Sequence, residues 1–321
     1  MSDLKQKLIA AGIVDDGAIL EPLTGGVSSD IYLVRDGDRK LVVKKALEQL
    51  KVKEEWKADV SRNKYELRYL KYVGRFLPEC VPTVLDGDED AGFFTMEFLG
   101  DGFLNMKKEF LNGRIDKPAV TRVIDALAVI HNTSRGDDSI KGAFDTTDNF
   151  IELRVSPYFL FLKHKFPEMA GIIDDKCDRL TTNRCCLVHG DFSPKNILYN
   201  ENRSVILDCE VAWYGNPAFD VGFFLNHLIL KGVHLRQPTF FELARDVMGQ
   251  YTAAVDVDIA DDVLDILPML LLARVDGKSP AEYLTQESRD LIKPQAIRFI
   301  RKNPESLDEL LATISSEGAA Q

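Results

Sequence analysis

The spacing of apolar residues changes character about a third of the way along this chain of 321 residues. Residues 30–34 (DIYLV), 40–44 (KLVVK) and 92–99 (GFFTMEFL) are short runs rich in β-branched and aromatic residues, which are typical of strands. Beyond Gly100 the apolar residues recur mainly at three- and four-residue steps, which is typical of helices. This arrangement constrains the chain to a small strand-rich part followed by a larger, mostly helical one.

The helical pattern has recognisable boundaries. A first helix is expected at about residues 56–77, where Pro78 ends it, and another begins at Pro118. A third is expected to start near Ala218. Ser279-Pro280-Ala281-Glu282 has the form of a capping box with proline at the first helical position, so a further helix is predicted to start there.

The predicted fold class is α+β with two lobes, because the chain is long for a single compact unit. Residues 1–99 are expected to form the β-rich N-terminal lobe and residues 102–321 the helical C-terminal lobe, with a hinge at about 97–101. Residues 186–208 are an exception within the second lobe, since they contain three short strand patterns (CLVH, NILY and SVILD) joined by turns. Ligands often bind where two lobes meet, so we expect a cleft there.

Composition excludes several functions. The net charge of −11 argues against binding to nucleic-acid backbones, which requires a basic face. No stretch approaches the roughly 20 apolar residues of a membrane span, and the N-terminal MSDLKQKLIAAG lacks the apolar core of a secretory signal. The five cysteines show no metal-ligand spacing, which favours free thiols in a reducing compartment. We therefore predict a cytoplasmic monomer or homodimer that binds neither nucleic acid nor membrane.

One polar motif carries most of the functional information. His189-Gly190-Asp191 is followed, five residues after the aspartate, by Asn196 and then by Asp208-Cys209-Glu210. Asp191 is the candidate general base, because a carboxylate close to a hydroxyl can orient it and take its proton. Asn196 and Asp208 are candidate magnesium ligands, and Glu210 is a candidate third, since magnesium prefers hard oxygen ligands. Phosphoryl transfer requires this division of labour.

Other interpretations of these residues stay open. Asp191 can instead cap a turn, and Glu210 can be a surface charge. His-x-Asp with Asp-x-Glu also fits a metal hydrolase, but no second histidine lies nearby and H-E-x-x-H is absent, so His189 is interpreted as a residue that hydrogen-bonds the loop backbone. Asp220, at the start of an apolar helix, can accept backbone N–H bonds from the same loop or interact with the helix dipole.

The N-terminal part supplies candidates for nucleotide binding. The turn Gly25-Gly26-Val27-Ser28-Ser29 lies between predicted strands and is a weak phosphate-loop pattern. Lys44 on the following strand is expected to contact the α- and β-phosphates, while Glu66 on the next helix holds it in an ion pair. The backbone of Glu97-Phe98-Leu99 is a candidate for contacting an adenine edge. The plainer alternatives are a solvated strand lysine and an ordinary strand end.

Taken in order, these motifs resemble a known family. The succession GGVSSD, LVVKKAL, MEFL, VIHN, HGDFSPKN, ILDCE and FDVG, over roughly residues 20–230, is similar to the aminoglycoside phosphotransferase and choline kinase family. The resemblance implies a protein-kinase-like bilobal fold, with ATP and Mg²⁺ as cofactors. It also implies transfer of the γ-phosphate to a hydroxyl of a small molecule.

The resemblance assigns roles to individual residues. It implies that Asp191 is the catalytic base and that Asn196 and Asp208 are magnesium ligands. It also implies that Lys44 with Glu66 is the phosphate-binding ion pair and that Glu97 to Leu99 form the adenine-binding hinge. Within the family, the ILDCE, AWYGNPAFDVG and VVKKAL segments look like 5-methylthioribose kinase. A methylthioribose-type sugar kinase is therefore one alternative, beside acceptors such as amino alcohols or aminoglycosides.

Two further functions compete with a small-molecule kinase. A protein kinase is disfavoured, because too little chain separates Asp208 from Asp220 for a long activation segment. A catalytically silent nucleotide-binding protein is disfavoured by the complete set of candidate catalytic residues. Arg274 and Lys278 are candidate contacts for a polar or anionic acceptor, although a solvated helix end explains them equally simply.

Overall fold

The computed structural model describes residues 2–23, 29–46, 62–89 and 92–319. The helices are α1 (Ser2–Ala10), α2 (Arg62–Val73), α3 (Met106–Leu111), α4 (Lys117–Ser134), α5 (Asp138–Ala143), α6 (Thr147–Phe150), α7 (Phe161–Lys165), α8 (Ala170–Thr182), α9 (Ala218–Leu235), α10 (Thr239–Ala254), α11 (Ala260–Asp276), α12 (Gln286–Arg301) and α13 (Leu307–Ala319). A π-helix (Ile151–Leu160) joins α6 to α7.

The strands are short by comparison with the helices. They are β1 (Ile19–Pro22), β2 (Ser29–Asp36), β3 (Arg39–Ala46), β4 (Val84–Gly87), β5 (Phe93–Glu97), β6 (Leu104–Asn105), β7 (Cys186–Val188), β8 (Ile197–Tyr199), β9 (Ser204–Ile206) and β10 (Trp213–Gly215). Single 3-10 turns lie at Pro78–Cys80, Pro167–Met169 and Pro194–Asn196.

The chain divides into two compact units. The first contains Met1–Phe103 together with Leu207–Glu210, and the second contains Leu104–Ile206 and Val211–Gln321. The short segment with the Asp208-Cys209-Glu210 motif thus belongs to the sheet-containing unit, although the chain on both sides of it belongs to the other unit.

The first unit is built on a five-stranded antiparallel sheet with the order β1-β2-β3-β5-β4. One face of the sheet forms a core with α1, through buried residues that include Leu8, Val34, Leu41 and Val43. Side chains alternate between the faces of a strand, so Lys44 does not share the face of Val43. Helix α2 packs against β3 and β4.

The second unit is mainly helical, and α9 is its most buried helix. Fifteen of its eighteen residues are buried, so it is apolar on nearly all sides. Helices α10 and α11 pack along it. Two small sheets, β6-β8-β9 and β7-β10, carry the strand patterns predicted around the motif.

The predicted α+β fold is confirmed, but two predicted helix boundaries are wrong. The helix expected at about residues 56–77 is α2, which ends at Val73 and not at Pro78; residues 56–61 lie outside the described residues. Residues 279–282 do not begin a helix; α12 begins at Gln286, where the Thr285 side chain accepts a hydrogen bond from the backbone N–H of Ser288. The serine of the predicted capping box is engaged elsewhere, because the Arg274 guanidinium donates to its carbonyl and its hydroxyl. In the described part of the chain, every helix is too short or too polar to cross a membrane.

Candidate active site

The loop that carries the motif turns sharply at Gly190. Its φ angle is +78°, a left-handed conformation that side chains rarely adopt. A Cβ atom at this position would lie 2.4 Å from the carbonyl oxygen of Val211. Glycine is therefore required here both by the backbone conformation and by the close approach of the neighbouring chain.

Asp220 fixes the shape of this loop. Its Oδ2 accepts the backbone N–H of His189 at 2.7 Å, and its Oδ1 accepts that of Gly190 at 2.9 Å. His131 lies on the other side, with Nε2 3.3 Å from Asp220 Oδ2 and Nδ1 2.6 Å from the Tyr251 hydroxyl. All of these side chains are buried. A hydrogen-bonded network thus connects α4, α9 and α10 to the loop.

The Asp191 carboxylate is surrounded by donors. Its Oδ2 lies 3.0 Å from Asn196 Nδ2, 2.9 Å from Lys195 Nζ and 3.2 Å from Arg154 Nη2. The backbone N–H of Asp191 donates to His189 Nδ1 at 3.1 Å, so His189 contacts the loop backbone. These contacts hold the carboxylate in one orientation, which a residue that positions a substrate hydroxyl requires.

Arg154 was not predicted from the sequence. It lies on the π-helix, and its Nε donates to the carbonyl oxygen of Gly190 at 2.6 Å. Helices of the π type are rare and occur often at functional sites, because the extra residue changes the direction in which side chains point. The only sequence signal is an arginine and Pro157 within an apolar helical run, and this pattern is common in helices.

In the first unit, Lys44 lies between two carboxylates. Its Nζ is 2.8 Å from Glu66 Oε1 and 2.6 Å from Asp208 Oδ1. Lys44 and Glu66 are each only 2% exposed, whereas the Asp208 side chain is 31% exposed. The structure thus contains the Lys44–Glu66 ion pair. Asp208 is the solvent-accessible member of this group of three side chains.

Glu210 completes a group of three carboxylates. One ligand atom from each of Glu66, Asp208 and Glu210 lies within 4.8 Å of the others. Glu210 is buried, not a solvated surface charge, and its Oε2 lies 3.3 Å from Arg62 Nε. The φ angle of Asp208 is +63°, which is uncommon outside glycine and typical of functional sites.

Electrostatics couple these groups. Burial raises the pKa of Glu66 to about 7, and Asp208 and Glu210 act in the same direction while Lys44 opposes them. Burial acts to lower the pKa of Lys44, but Asp208 and Glu66 outweigh it and hold that pKa well above its ordinary value. The lysine is therefore charged, and the excess of carboxylates around it favours a further cation.

The remaining predicted residues are less informative. Gly25, Gly26 and Ser28 lie outside the described residues, and Ser29 is a buried residue at the start of β2. Glu97 ends β5, and its Oε1 accepts the backbone N–H of Thr83 at 3.0 Å; Phe98 and Leu99 follow and are half-buried. Their assignment to nucleotide binding stays a prediction.

Arg274 and Lys278 differ in environment. Arg274 is buried on α11, not solvated at the end of a helix, whereas Lys278 is exposed. The two residues therefore differ in burial and do not form one contact surface. Of the two, only Arg274 is surrounded by protein.

The sequence matches the model of the phosphotransferase enzyme family over residues 19–237. Because this match covers more than half of the chain, the chain belongs to the phosphotransferase enzyme family, and the predicted family is confirmed. Asp191, Asn196, Asp208 and Glu210 all lie within the matched region.

Individual relatives are distant. A methylthioribose kinase from Bacillus mycoides is 22% identical over 246 residues, which is 63% of this chain and 58% of the relative. The chain thus spans about three fifths of the length of the curated relatives that it matches. Among solved structures, a choline kinase from Streptococcus pneumoniae has a TM-score of 0.54 at 12% identity and covers 99% of this chain and 97% of its own. A choline/ethanolamine kinase family protein from Mesorhizobium loti has a TM-score of 0.53 at 18% identity, with 98% and 99% covered. At these identities the structures support the fold alone.

Proposed function

We propose that this protein is an ATP- and Mg²⁺-dependent kinase that transfers the γ-phosphate of ATP to a hydroxyl group of a small molecule. Membership of the phosphotransferase enzyme family supports this proposal. The observation that carries it is the group of Lys44, Glu66 and Asp208, in which one buried lysine is held between two carboxylates. Such a lysine is a fixed positive charge for a polyphosphate, and the carboxylates can hold a metal ion.

On the nucleotide side, Lys44 would contact ATP phosphates while Glu66 holds the lysine in place. The donor set fits magnesium, because Asp208 and Glu210 provide hard carboxylate oxygens beside a partly exposed position. Magnesium, when bound, neutralises charge on the phosphates of the nucleotide. Asn196, which the sequence predicts as a further magnesium ligand, lies in the second unit, and that assignment remains a prediction.

On the acceptor side, Asp191 would accept the hydrogen bond of the substrate hydroxyl and take its proton as the new bond forms. Arg154, Lys195 and Asn196 hold the carboxylate through Oδ2. Asp220 does not contact the carboxylate but accepts a backbone N–H of the loop that carries Asp191, and His131 contacts Asp220 in turn. Each of these residues would position the base without touching the acceptor itself.

A methylthioribose-type sugar kinase is a narrower candidate. The relatives named methylthioribose kinase favour it, but they are only 22% identical and match 58% of their own length. Methylthioribose therefore belongs in any panel of acceptors tested. A catalytically silent nucleotide-binding protein would bind ATP but release no ADP with any acceptor.

The test is a screen of hydroxylated metabolites for acceptor-stimulated ADP release, with and without Mg²⁺, on the wild type and on Lys44→Met. We expect release that needs both Mg²⁺ and an acceptor, and that falls by about 10²-fold or more in Lys44→Met, because a fixed charge at the phosphates is removed. Lys45→Met is the matched control, since Lys45 is the neighbouring, half-buried residue of the same strand. Equal losses in both variants would contradict the proposed role of Lys44.

A further inference from the structure

Lys231 is a buried lysine in an unusual environment. It lies on α9 and is 0% exposed. Its Nζ donates to the backbone carbonyl oxygen of His227 at 3.3 Å and lies 5.3 Å from the ring centroid of Tyr283 and 6.0 Å from that of Phe110. Among the residues that the structure describes, no carboxylate lies within ion-pair distance of Lys231. Buried lysines are almost always paired.

The other buried lysines of the described chain follow that rule. Lys44 contacts two carboxylates, and Lys176 Nζ lies 2.8 Å from Asp265 Oδ1. Burying a charge without a partner is costly. Among the buried lysines of the described chain, Lys231 is therefore the one without a carboxylate partner.

Further basic groups lie near enough to Lys231 to act on its pKa. Arg274 on α11 is 8% exposed, His227 on α9 is 8% exposed, and Lys107 on α3 lies at the surface edge. We call Lys107, His227, Lys231 and Arg274 the basic cluster. Burial, together with the charges of Lys107 and Arg274, lowers the pKa of Lys231 to about 7, while Glu282 opposes them.

Polar atoms beside the basic cluster also lack partners. Within the described residues, the Tyr283 hydroxyl and Arg274 Nε are buried without a hydrogen bond. Buried polar groups are normally satisfied, so these exceptions require an explanation, and a bound ligand is one.

The basic cluster adjoins the loop of Asp191 within the same unit. Helix α3, which carries Lys107 and Phe110, packs against residues 194–196, and Asn105 Nδ2 at its N-terminus donates to the carbonyl oxygen of Lys195 at 2.9 Å. Lys195 is in turn ion-paired with Asp191. Burial lowers the pKa of the His227 imidazole most, followed by the charges of Lys231 and Arg274. Lys195 and Lys107 are also near enough to lower this pKa.

We propose that the basic cluster binds an anionic group, a carboxylate or a phosphate, of the hydroxyl-bearing acceptor. This inference rests on the proposed kinase function and specifies the class of its substrate. An anionic group would supply the missing partner of Lys231 and accept hydrogen bonds from Arg274 and Tyr283. The Lys107–Glu282 ion pair, with a Glu282 side chain that is 65% exposed, lies on the solvent side of the cluster.

The same cluster disfavours cationic acceptors. An ammonium group placed next to Lys231 and Arg274 would meet like charges in a buried environment, where repulsion is strong. Amino alcohols and aminoglycosides carry such a group. An uncharged sugar would leave the charge of Lys231 unpaired.

The first test compares acceptors. ADP release would be measured with gluconate and ribose 5-phosphate as anionic acceptors, against ribose, methylthioribose, choline and ethanolamine. We expect the anionic acceptors to have the higher kcat/KM, and Lys231→Met to raise their KM by about 10- to 100-fold, since one charge-assisted contact is lost. Lys293→Met, at a lysine of α12 whose side chain is 43% exposed, is the matched control and should not change KM. A preference for uncharged or cationic acceptors that Lys231→Met leaves unchanged would overturn the inference without affecting the kinase proposal.

The second test does not depend on turnover. Binding of gluconate and ribose 5-phosphate would be followed by thermal unfolding and by NMR of ¹⁵N-labelled lysine amines. We expect both ligands to raise the melting temperature of the wild type more than that of Lys231→Met, and to raise the pKa of Lys231. Equal stabilisation of both proteins, or an unchanged pKa at saturation, would refute the anion site. Anion binding without any acceptor-stimulated ADP release would instead count against the kinase function alone.

Discussion

A single added methyl group at Gly190 would collide with the backbone of Val211, at 2.4 Å from its carbonyl oxygen. The glycine also has a left-handed φ angle, and the residue after it is the candidate base. The conformation of the candidate active-site loop therefore depends on a single position that tolerates only glycine. The sequence identifies this glycine through the motif, but not the oxygen that it faces.

Gly190→Ala should destabilise the protein by about 1–3 kcal/mol, because the strained conformation and the close contact are both affected. Urea unfolding measures the loss. Gly249→Ala is the control, since Gly249 lies in α10 with nothing within 4 Å of its added Cβ; it should stabilise the helix by about 0.5–1 kcal/mol. A Gly190→Ala protein as stable as the wild type would contradict the close packing of this loop.

The environment of Lys231 allows the pH dependence of the free energy of unfolding to be predicted. Its pKa is about 7 in the folded protein and near 10.5 in an unfolded chain. Between these values the unfolded state binds more protons than the folded state, so stability rises with pH across this window. The charged groups that act on the Lys231 amine are Lys107, Arg274 and Glu282.

Lys231→Met should therefore be more stable than the wild type, most of all at pH 7 and below, where the wild type buries a charged lysine. The difference should shrink as the pH rises toward 10, because the lysine of the unfolded chain then loses its proton as well and folding no longer has to neutralise it. Urea unfolding of both proteins between pH 6 and 9.5 measures it. A constant difference, or a Lys231→Met protein less stable at every pH, would show that Lys231 is stabilised by contacts of the folded chain.

At the scale of one element, the π-helix determines where Arg154 points. The guanidinium contacts both Gly190 O and Asp191 Oδ2, so it connects this helix to the candidate base. Sequence spacing predicts a helix but not the wider π-type turn, since the difference depends on tertiary contacts. Arg154 could therefore not be assigned before the fold was known.

Arg154→Lys should reduce kcat by about 10- to 100-fold and leave the KM for ATP unchanged, because lysine keeps the charge but not the planar pair of donors. Steady-state kinetics with a saturating acceptor measures the change. Glu152→Gln, at an exposed residue of the same π-helix, should behave as the wild type. Wild-type turnover in Arg154→Lys would show that charge alone, not geometry, is required.

The start of α12 shows why a helix boundary was mispredicted. Ser279-Pro280-Ala281-Glu282 has the form of a capping box, but the end of α11 engages this segment: Arg274 donates to Ser279, and the backbone N–H of Ala281 donates to the carbonyl oxygen of Arg274 at 2.7 Å. Contacts with the end of the preceding helix cannot be read from the four-residue pattern itself. Thr285 caps the helix instead.

Thr285→Ala should destabilise the protein by about 1 kcal/mol, since the Ser288 N–H loses its acceptor, whereas Thr285→Ser should retain most of the stability. Thermal unfolding of both variants checks this. Equal melting temperatures for the alanine and serine variants would contradict the assigned cap.

At the scale of the whole molecule, the sequence predicted the fold class and the family because both depend on patterns that persist over many residues. The strand runs near residues 30 and 40 and the ordered series of motifs are of this kind. The basic cluster could not be predicted in the same way, because Lys107, Lys231 and Arg274 lie far apart in the chain and come together only through α3, α9 and α11. Of these three residues, only Arg274 is a candidate acceptor contact from the sequence.

We propose that Asp191 serves the transfer step and not nucleotide binding. This is tested by comparing Asp191→Asn with the wild type in two assays, binding of ATP with Mg²⁺ and acceptor-stimulated ADP release. Asp191→Asn is expected to bind ATP with unchanged affinity but to release ADP at least about 10²-fold more slowly. Unchanged turnover in Asp191→Asn would contradict the proposed role of this carboxylate.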